Sequence, residues 1–220
     1  MSHDISLLRP CDEVNHHLST AYASIDDLRS QLGQAKPVSE AYAKKMLHAV
    51  PIAEVVDRSE FILERCKGRT VLDVGASGPM HDRIVAVAAK TYGWDREDGE
   101  GVTGIDLDNQ DLHLPFYQGI ELIVCGEVIE HLSNPGQFLR RLRTRYQGVP
   151  VIITVPNAFA EAGRAQLARG TEVVNRDHCA WYSWKTLSVL LERAGYSIAE
   201  FCWYNGRPLF AEGLIVVTGG

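Results

Sequence analysis

Thr70-Val71-Leu72-Asp73-Val74-Gly75-Ala76-Ser77-Gly78-Pro79 is the stretch that decides the fold of this chain. Its first half reads as a buried strand and its second as a glycine-bearing turn that leads into a helix. Gly75 and Gly78 let the backbone pass close to a ligand with no Cβ in the way. Asp73 stands inside the strand end. A carboxylate there is repelled by a diphosphate and stabilised by a cationic amino acid; taken alone, it serves equally well as a cap on a nearby turn.

Strand-like and helix-like segments alternate outward from this turn. Strands are expected at 69–74, 89–94, 102–107, 120–125, 150–155, 197–203 and 213–218, with helices near 78–88, 135–147 and 184–195. The strand runs are almost continuously apolar, as in a parallel sheet covered on both faces. The expected class is therefore α/β with helices on both faces. Upstream, Val14, Leu18, Ala21, Ile25, Leu28 and Leu32 recur in steps of four and three. This heptad seam points to a helix that lies on the main domain or pairs with its copy in a homodimer. Gly33 to Pro37 breaks it, and a second helical segment, 38–66, leads into the core. The expected organisation is a helical extension over 1–66 and one domain over 67–220.

Composition narrows the partners. The 220 residues are 45% hydrophobic and 23% charged, as in ordinary globular proteins. No apolar run approaches the roughly 20 residues needed to span a bilayer, and the first residues lack a basic leader with an apolar core. A cytoplasmic location with no membrane partner is expected. Cys11, Cys66, Cys125, Cys179 and Cys202 are scattered with no C-x-x-C pair, which argues against a zinc knuckle and suits a reducing compartment. A net charge of −6 gives no global attraction to long nucleic acid. The one basic run, Arg140-Arg141-Leu142-Arg143-Thr144-Arg145, reads as the solvated face of an amphipathic helix.

Asp95 closes Lys90-Thr91-Tyr92-Gly93-Trp94-Asp95, twenty residues after Gly75. At that distance a carboxylate at the end of the second strand can accept both hydroxyls of a ribose. Taken in order, VLDVGASGP, YGWD, TGIDLDNQDLHLPF, IELIVCGEVIEHL and VIITVPN resemble the class I S-adenosylmethionine-dependent methyltransferases over residues 69–218. The resemblance implies a Rossmann-like, mostly parallel seven-stranded sheet of order 3-2-1-4-5-7-6 with the last strand antiparallel. It implies S-adenosylmethionine lying over the carboxyl ends of strands 1 and 2. Asp73, Gly75, Ala76, Ser77 and Gly78 would meet the methionine moiety, and Trp94 with Asp95 the ribose end. Asp106 and Leu107 would flank the adenine, and the backbone of Cys125 and Gly126 would close the site. Two departures stand out: Ser77 and Pro79 occupy usual glycine positions of the turn, and Asp95 and Asp106 lie too close for the usual intervening helix. A loop is expected between them, with Asp106 as the alternative ribose ligand.

On the acceptor side, Gly126-Glu127-Val128-Ile129-Glu130-His131-Leu132 follows strand four. In a helical turn, Glu127, Glu130 and His131 share one face. His178 in Arg176-Asp177-His178-Cys179 is a fourth candidate. Glu127, Glu130, His131 and His178 together form a mixed oxygen and nitrogen set suited to Mg²⁺, Mn²⁺, Co²⁺ or Zn²⁺. The set resembles those of two metal-using branches, the ubiquinone-pathway O-methyltransferases and the small-RNA terminal 2′-O-methyltransferases. Similar turns also occur without a metal. In that case His131 or His178 is the general base, because imidazole titrates near neutrality; Glu127 is the remaining catalytic candidate. His16, His17, His48, His81 and His113 fall in helical or loop contexts and read as surface or core-edge residues. Asn157, Phe159, Trp181, Tyr182 and Trp184, in and beside the long segment 156–183, are candidate acceptor-lining residues. The expected activity is O-methylation of a small acceptor such as a catechol or vicinal diol. A small-RNA 2′-O-methyltransferase and a non-catalytic binding module are the alternatives.

Overall fold

Side-chain alternation along the strands sorts the core into two layers. In the computed structural model, which describes residues 48–109 and 113–219, Val71, Leu122, Val124 and Ile152 join Phe61, Ile62 and Ile84 in one buried cluster. Their sequence neighbours Leu72, Ile123 and Ile153 join Phe138, Leu142, Leu187 and Leu191 in the other. Period-two alternation with both sets apolar is what a sheet buried on both faces requires. Each fully buried Leu or Ile contributes about 2 kcal/mol by its removal from water.

The strands are β1 (Val55–Val56), β2 (Thr70–Val74), β3 (Lys90–Asp95), β4 (Val102–Gly104), β5 (Leu122–Gly126), β6 (Val151–Pro156), β7 (Ile198–Tyr204) and β8 (Gly213–Thr218). The helices are α1 (Arg58–Cys66), α2 (Gly78–Val87), α3 (Pro135–Arg145), α4 (Glu161–Leu167) and α5 (Trp184–Ala194), with a 3-10 turn at Ile129–His131. Local chemistry sets the helix ends. Asn134 caps α3 by accepting from the Gln137 amide, with Pro135 pre-set for the first turn. Ser183 and Thr186 form a reciprocal capping box on α5, and Gly195 ends that helix at φ 91°, a conformation open to glycine.

The sheet order is β1-β7-β8-β6-β5-β2-β3-β4. The pairs are parallel except those of β8, which runs antiparallel to both β6 and β7. Read from the β4 edge, the seven expected strands stand in the expected order 3-2-1-4-5-7-6. One strand more is present than the seven expected: β1, added beside β7. Connections run away in opposite directions from β2 and β5, so a crevice opens at their carboxyl ends, where ligands bind in such sheets.

Three segments differ from expectation. Helix was expected over 38–66; residues 48–54 carry none, Val55–Val56 pair in the sheet, and α1 begins at Arg58 after the Asp57 cap. Strand 102–107 stops at Gly104: the Ile105 amide makes the last ladder bond, to the Asp95 carbonyl, and Asp106 then folds a turn. The Asp106 side chain accepts from the Asp108 amide, a local bond that competes with strand pairing. Helix α4 was not foreseen; it buries no residue, so no apolar periodicity announces it. The loop expected between Asp95 and Asp106 is present, at 96–101 before β4. The heptad seam at 14–32 lies outside the described residues. Among the described residues no helix is long and apolar enough to cross a membrane.

Candidate active site

A cavity of about 440 Å³ occupies the crevice at the carboxyl ends of β2, β3 and β5, within the size range of small-ligand sites. Asp73, Gly75, Ser77, Asp95, Asp106, Leu107 and Gly126, all expected on the cofactor, line it. Gly75 has φ +79°, and a Cβ there would fall 2.6 Å from Val128 Cγ2, so only glycine fits this bend.

Other expected cofactor residues act through backbone or packing. The Gly75 and Ala76 amides both donate to the Trp94 carbonyl, at 2.8 and 2.9 Å. The Ala76 side chain is buried and the Trp94 ring fully so; Trp94 therefore pins the turn from below, with its ring set against Tyr117 and Tyr146. Cys125 is fully buried, and burial pushes its thiol pKa up. Gly78 opens α2 with open space where a Cβ would stand. Gly78, Ala76, Trp94 and Cys125 are not among the residues that line the cavity.

The structure adds side chains that sequence spacing missed. His81 Nδ1 lies 2.8 Å from Asp73 Oδ2, both side chains largely buried. Burial raises the Asp73 carboxyl pKa, while the hydrogen bond to Asp73 raises that of the His81 imidazole. His81, read as a surface or core-edge residue, belongs to the site; a helix starting at residue 78 carries it in its first turn against the strand end. Arg58, Arg96 and Asp108 also line the cavity. Asp108 accepts from the Ser133 amide at 2.8 Å, which ties the loop after β4 to the start of α3. Arg58 follows the cap of α1, far in sequence from any motif, and nothing in spacing alone marks it.

The acceptor end departs from the expected helical face. Glu127 has φ 57°, a left-handed conformation at a non-glycine residue, and its carboxylate turns to the β6–β7 side. Thr154 Oγ1 and Tyr204 OH donate to Glu127 Oε1 at 2.8 and 3.0 Å, and Arg58 stands 3.4 Å away. Glu127 is therefore outside the expected four-ligand cluster. Burial, and the Glu127 charge beside it, raise the Tyr204 hydroxyl pKa.

Glu130, His131 and His178 do come together, with one ligand atom from each within 4.8 Å of the others. Glu130 and His131 sit on the 3-10 turn. His178 arrives from a distant coil because the Cys179 and Ala180 amides donate to the Glu130 carbonyl at 2.7 and 3.2 Å. The two imidazoles meet edge-on, centroids 4.5 Å apart. Glu130 is 1% exposed, and neither carboxyl oxygen has a hydrogen-bond partner among the described residues. Burial, then the nearby Glu127 charge, push its pKa up to about 8. Burial and the neighbouring His131 hold His178 below the usual imidazole range. A buried unpartnered carboxylate costs several kcal/mol unless it is protonated or meets a cation.

His131 also lines the main cavity, and His178, with Val174 and Trp181, lines a recess of about 180 Å³ beside it. Phe159 is 56% and Trp181 43% exposed. Tyr182 is buried, its hydroxyl donating to the Ile129 carbonyl, and Trp184 packs on Phe201. Buried Asn157 donates to the Leu209 and Ala211 carbonyls. Tyr182 and Trp184 are thus structural, Asn157 and Trp181 line the recess with His178, and the Phe159 ring stands exposed.

The family model described as "Methyltransferase domain" matches residues 41–200. No curated protein sequence matches the chain. Among solved structures, the small RNA methyltransferase HEN1 is 18% identical over 79% of this chain and 27% of its own, with a TM-score of 0.58. Magnesium protoporphyrin IX methyltransferase from Synechocystis PCC 6803, with bound S-adenosylhomocysteine, is 14% identical over 73% and 81%, TM-score 0.56. The 1,6-didemethyltoxoflavin-N1-methyltransferase of Burkholderia thailandensis is 13% identical over 98% and 92%, TM-score 0.53. The likeness to these three is one of fold.

Proposed function

We propose, for a chain that belongs to the methyltransferase-domain family and is an S-adenosylmethionine-dependent methyltransferase, that it methylates an oxygen of a small acceptor, a catechol or another vicinal diol. The observation that carries this reading is the convergence of Glu130, His131 and His178 on one point beside the cofactor cavity.

On the cofactor side, Asp95 accepts the ribose hydroxyls, Asp106 and Leu107 flank the adenine, and Asp73 with the Gly75–Ser77 turn takes the methionine end. The acceptor oxygen attacks the sulfonium methyl in line. A C–O bond forms as the C–S bond breaks, the sulfur keeps the electron pair, and S-adenosylhomocysteine leaves. With no cation on the cluster, the acceptor proton passes to His178. Its depressed pKa leaves it neutral near pH 7 and able to accept a proton. Glu127 is a positioning residue, holding Arg58, Thr154 and Tyr204 around the carboxyl end of β5.

The donors of the cluster fit a divalent cation: one carboxylate and two imidazoles, with the carboxylate buried and unpartnered among the described residues. Glu130, His131 and His178 would hold it, and bound there it would supply Lewis acidity that lowers the pKa of an adjacent acceptor hydroxyl. The Trp181 ring, which lines the recess with His178, offers the acceptor an apolar wall.

Calorimetric titration of Mg²⁺, Mn²⁺ and Zn²⁺ into chelator-treated, S-adenosylhomocysteine-loaded protein tests the cluster. The expected result is stoichiometric binding that Glu130→Ala abolishes. Transfer of labelled methyl from S-adenosylmethionine to a catechol panel tests the reaction. Transfer to N-nucleophiles or to RNA with none to catechols or diols would overturn the proposed acceptor class.

A further inference from the structure

A second concavity, of about 410 Å³, lies away from the cofactor cavity between α3 and residues 113–114. Gln137, Arg140, Arg141, Thr144 and Arg145 line it from one face of α3, at the i, i+3, i+4, i+7, i+8 spacing of a helical stripe. His113 and Leu114 line the facing side. Cations at the end of a helix answer its dipole, which accounts for Arg143 and Arg145 in the last turn but not for Arg140 and Arg141 in the middle.

Three features distinguish this groove from a solvated face. No ion pair among the described residues engages Arg140, Arg141 or Arg145, although the chain carries a net charge of −6. Arg141 is anchored by Nη1 donating to the Asn109 carbonyl at 2.9 Å, yet its Nη2 is buried with no hydrogen-bond partner among the described residues. A buried guanidinium nitrogen without an acceptor is costly. The segment that follows the Leu114 wall, finally, is fixed. Tyr146 OH donates to the Pro115 carbonyl and accepts from the Tyr117 amide, Phe116 stacks on Tyr146, and the Arg145 guanidinium stands 4.9 Å over the Phe116 ring.

We propose that this groove is a second binding site, for a compact phosphoryl anion the size of pyrophosphate, gripped by Arg140, Arg141 and Arg145. Guanidinium forks match phosphoryl oxygens two at a time. A net charge of −6 gives no global attraction to a long polyanion, whereas a compact anion can be held by the three arginines alone. The source is either free pyrophosphate or the diphosphate of a nucleotide. Neither choice depends on the acceptor proposed above.

The test is titration of sodium pyrophosphate, and in parallel a nucleoside diphosphate, into the full chain at low ionic strength. Arg141→Gln and Arg145→Gln are compared, and S-adenosylhomocysteine binding and the unfolding midpoint serve as checks on the fold. The expected result is saturable one-to-one binding, weakened about tenfold by each variant with S-adenosylhomocysteine binding unchanged. Tighter binding of the nucleoside diphosphate identifies a nucleotide as the source; equal binding identifies the free anion. Heats that fail to saturate, equal binding by intact variants, or binding only to an RNA oligomer or to anionic vesicles would overturn the proposal.

Discussion

The cofactor cavity and the cluster beside it are built from different material. At the cofactor end, Asp73, Gly75, Asp95 and Gly126 stand at or just past the carboxyl ends of neighbouring strands, and sheet register fixes their relative places: Val74 pairs with Trp94 on one side and Cys125 on the other. At the acceptor end, a left-handed Glu127, one 3-10 turn and a coil bring Glu130, His131 and His178 together. That end is held by two amides on one carbonyl and by side-chain packing. A site made of strand ends inherits the rigidity of the sheet, whereas a site made of turns is free to change its chemistry without disturbing the fold.

This contrast can be broken most forcefully at Gly75. Gly75→Val places a branched side chain at φ +79° and into Val128, and should cost about 2–3 kcal/mol of stability together with S-adenosylhomocysteine binding. Calorimetry of both checks it, and a variant that still binds the cofactor would show that the turn is not rigid. Next in size, Asp95→Ala should weaken S-adenosylhomocysteine about 10- to 100-fold, the cost of losing hydrogen bonds to a charged acceptor. Asp106→Ala should weaken it less, and the reverse order would make Asp106 the ribose ligand.

The acceptor end answers to pH. The Glu130 carboxyl titrates near 4.5 in the unfolded chain and is pushed to about 8 in the fold. Between those values the folded state holds a proton that the unfolded state has released. The stability of chelator-treated protein should therefore fall as pH rises from about 4.5 to about 8. Glu130→Gln should flatten that slope, as unfolding midpoints at pH 6 and pH 8.5 would reveal; an unchanged slope would assign it to another group. The smallest effect is expected at the rim: Trp181→Ala should raise the acceptor KM by about 3- to 10-fold while kcat holds, in steady-state kinetics with the best acceptor found.

How much of this could be read beforehand follows the same division. Strand runs such as Val71-Leu72 and Ile152-Ile153 announce a sheet buried on both faces, and Asp73 and Asp95 lie at strand ends that such runs delimit. The turn chemistry that stops β4 at Gly104 depends on one side chain, Asp106, bonding to its own backbone, and apolar pattern is blind to it. Glu127 misled because i, i+3, i+4 spacing assumes a regular helix, while the chain bends left-handed at that residue to satisfy Thr154 and Tyr204. His81 and Arg58 reach the site across space from helices α2 and α1, which no local spacing encodes.

Strand β1, only two residues long, bears on where the chain can be divided. The Glu54 and Val56 carbonyls accept from the Trp203 and Asn205 amides, and Asp57 then caps the helix that carries Arg58 into the cavity. A fragment begun at residue 67 would lose the edge pairing, the cap and a cavity wall in one cut. Fusion partners and protease sites for producing the catalytic unit therefore belong upstream of Glu54.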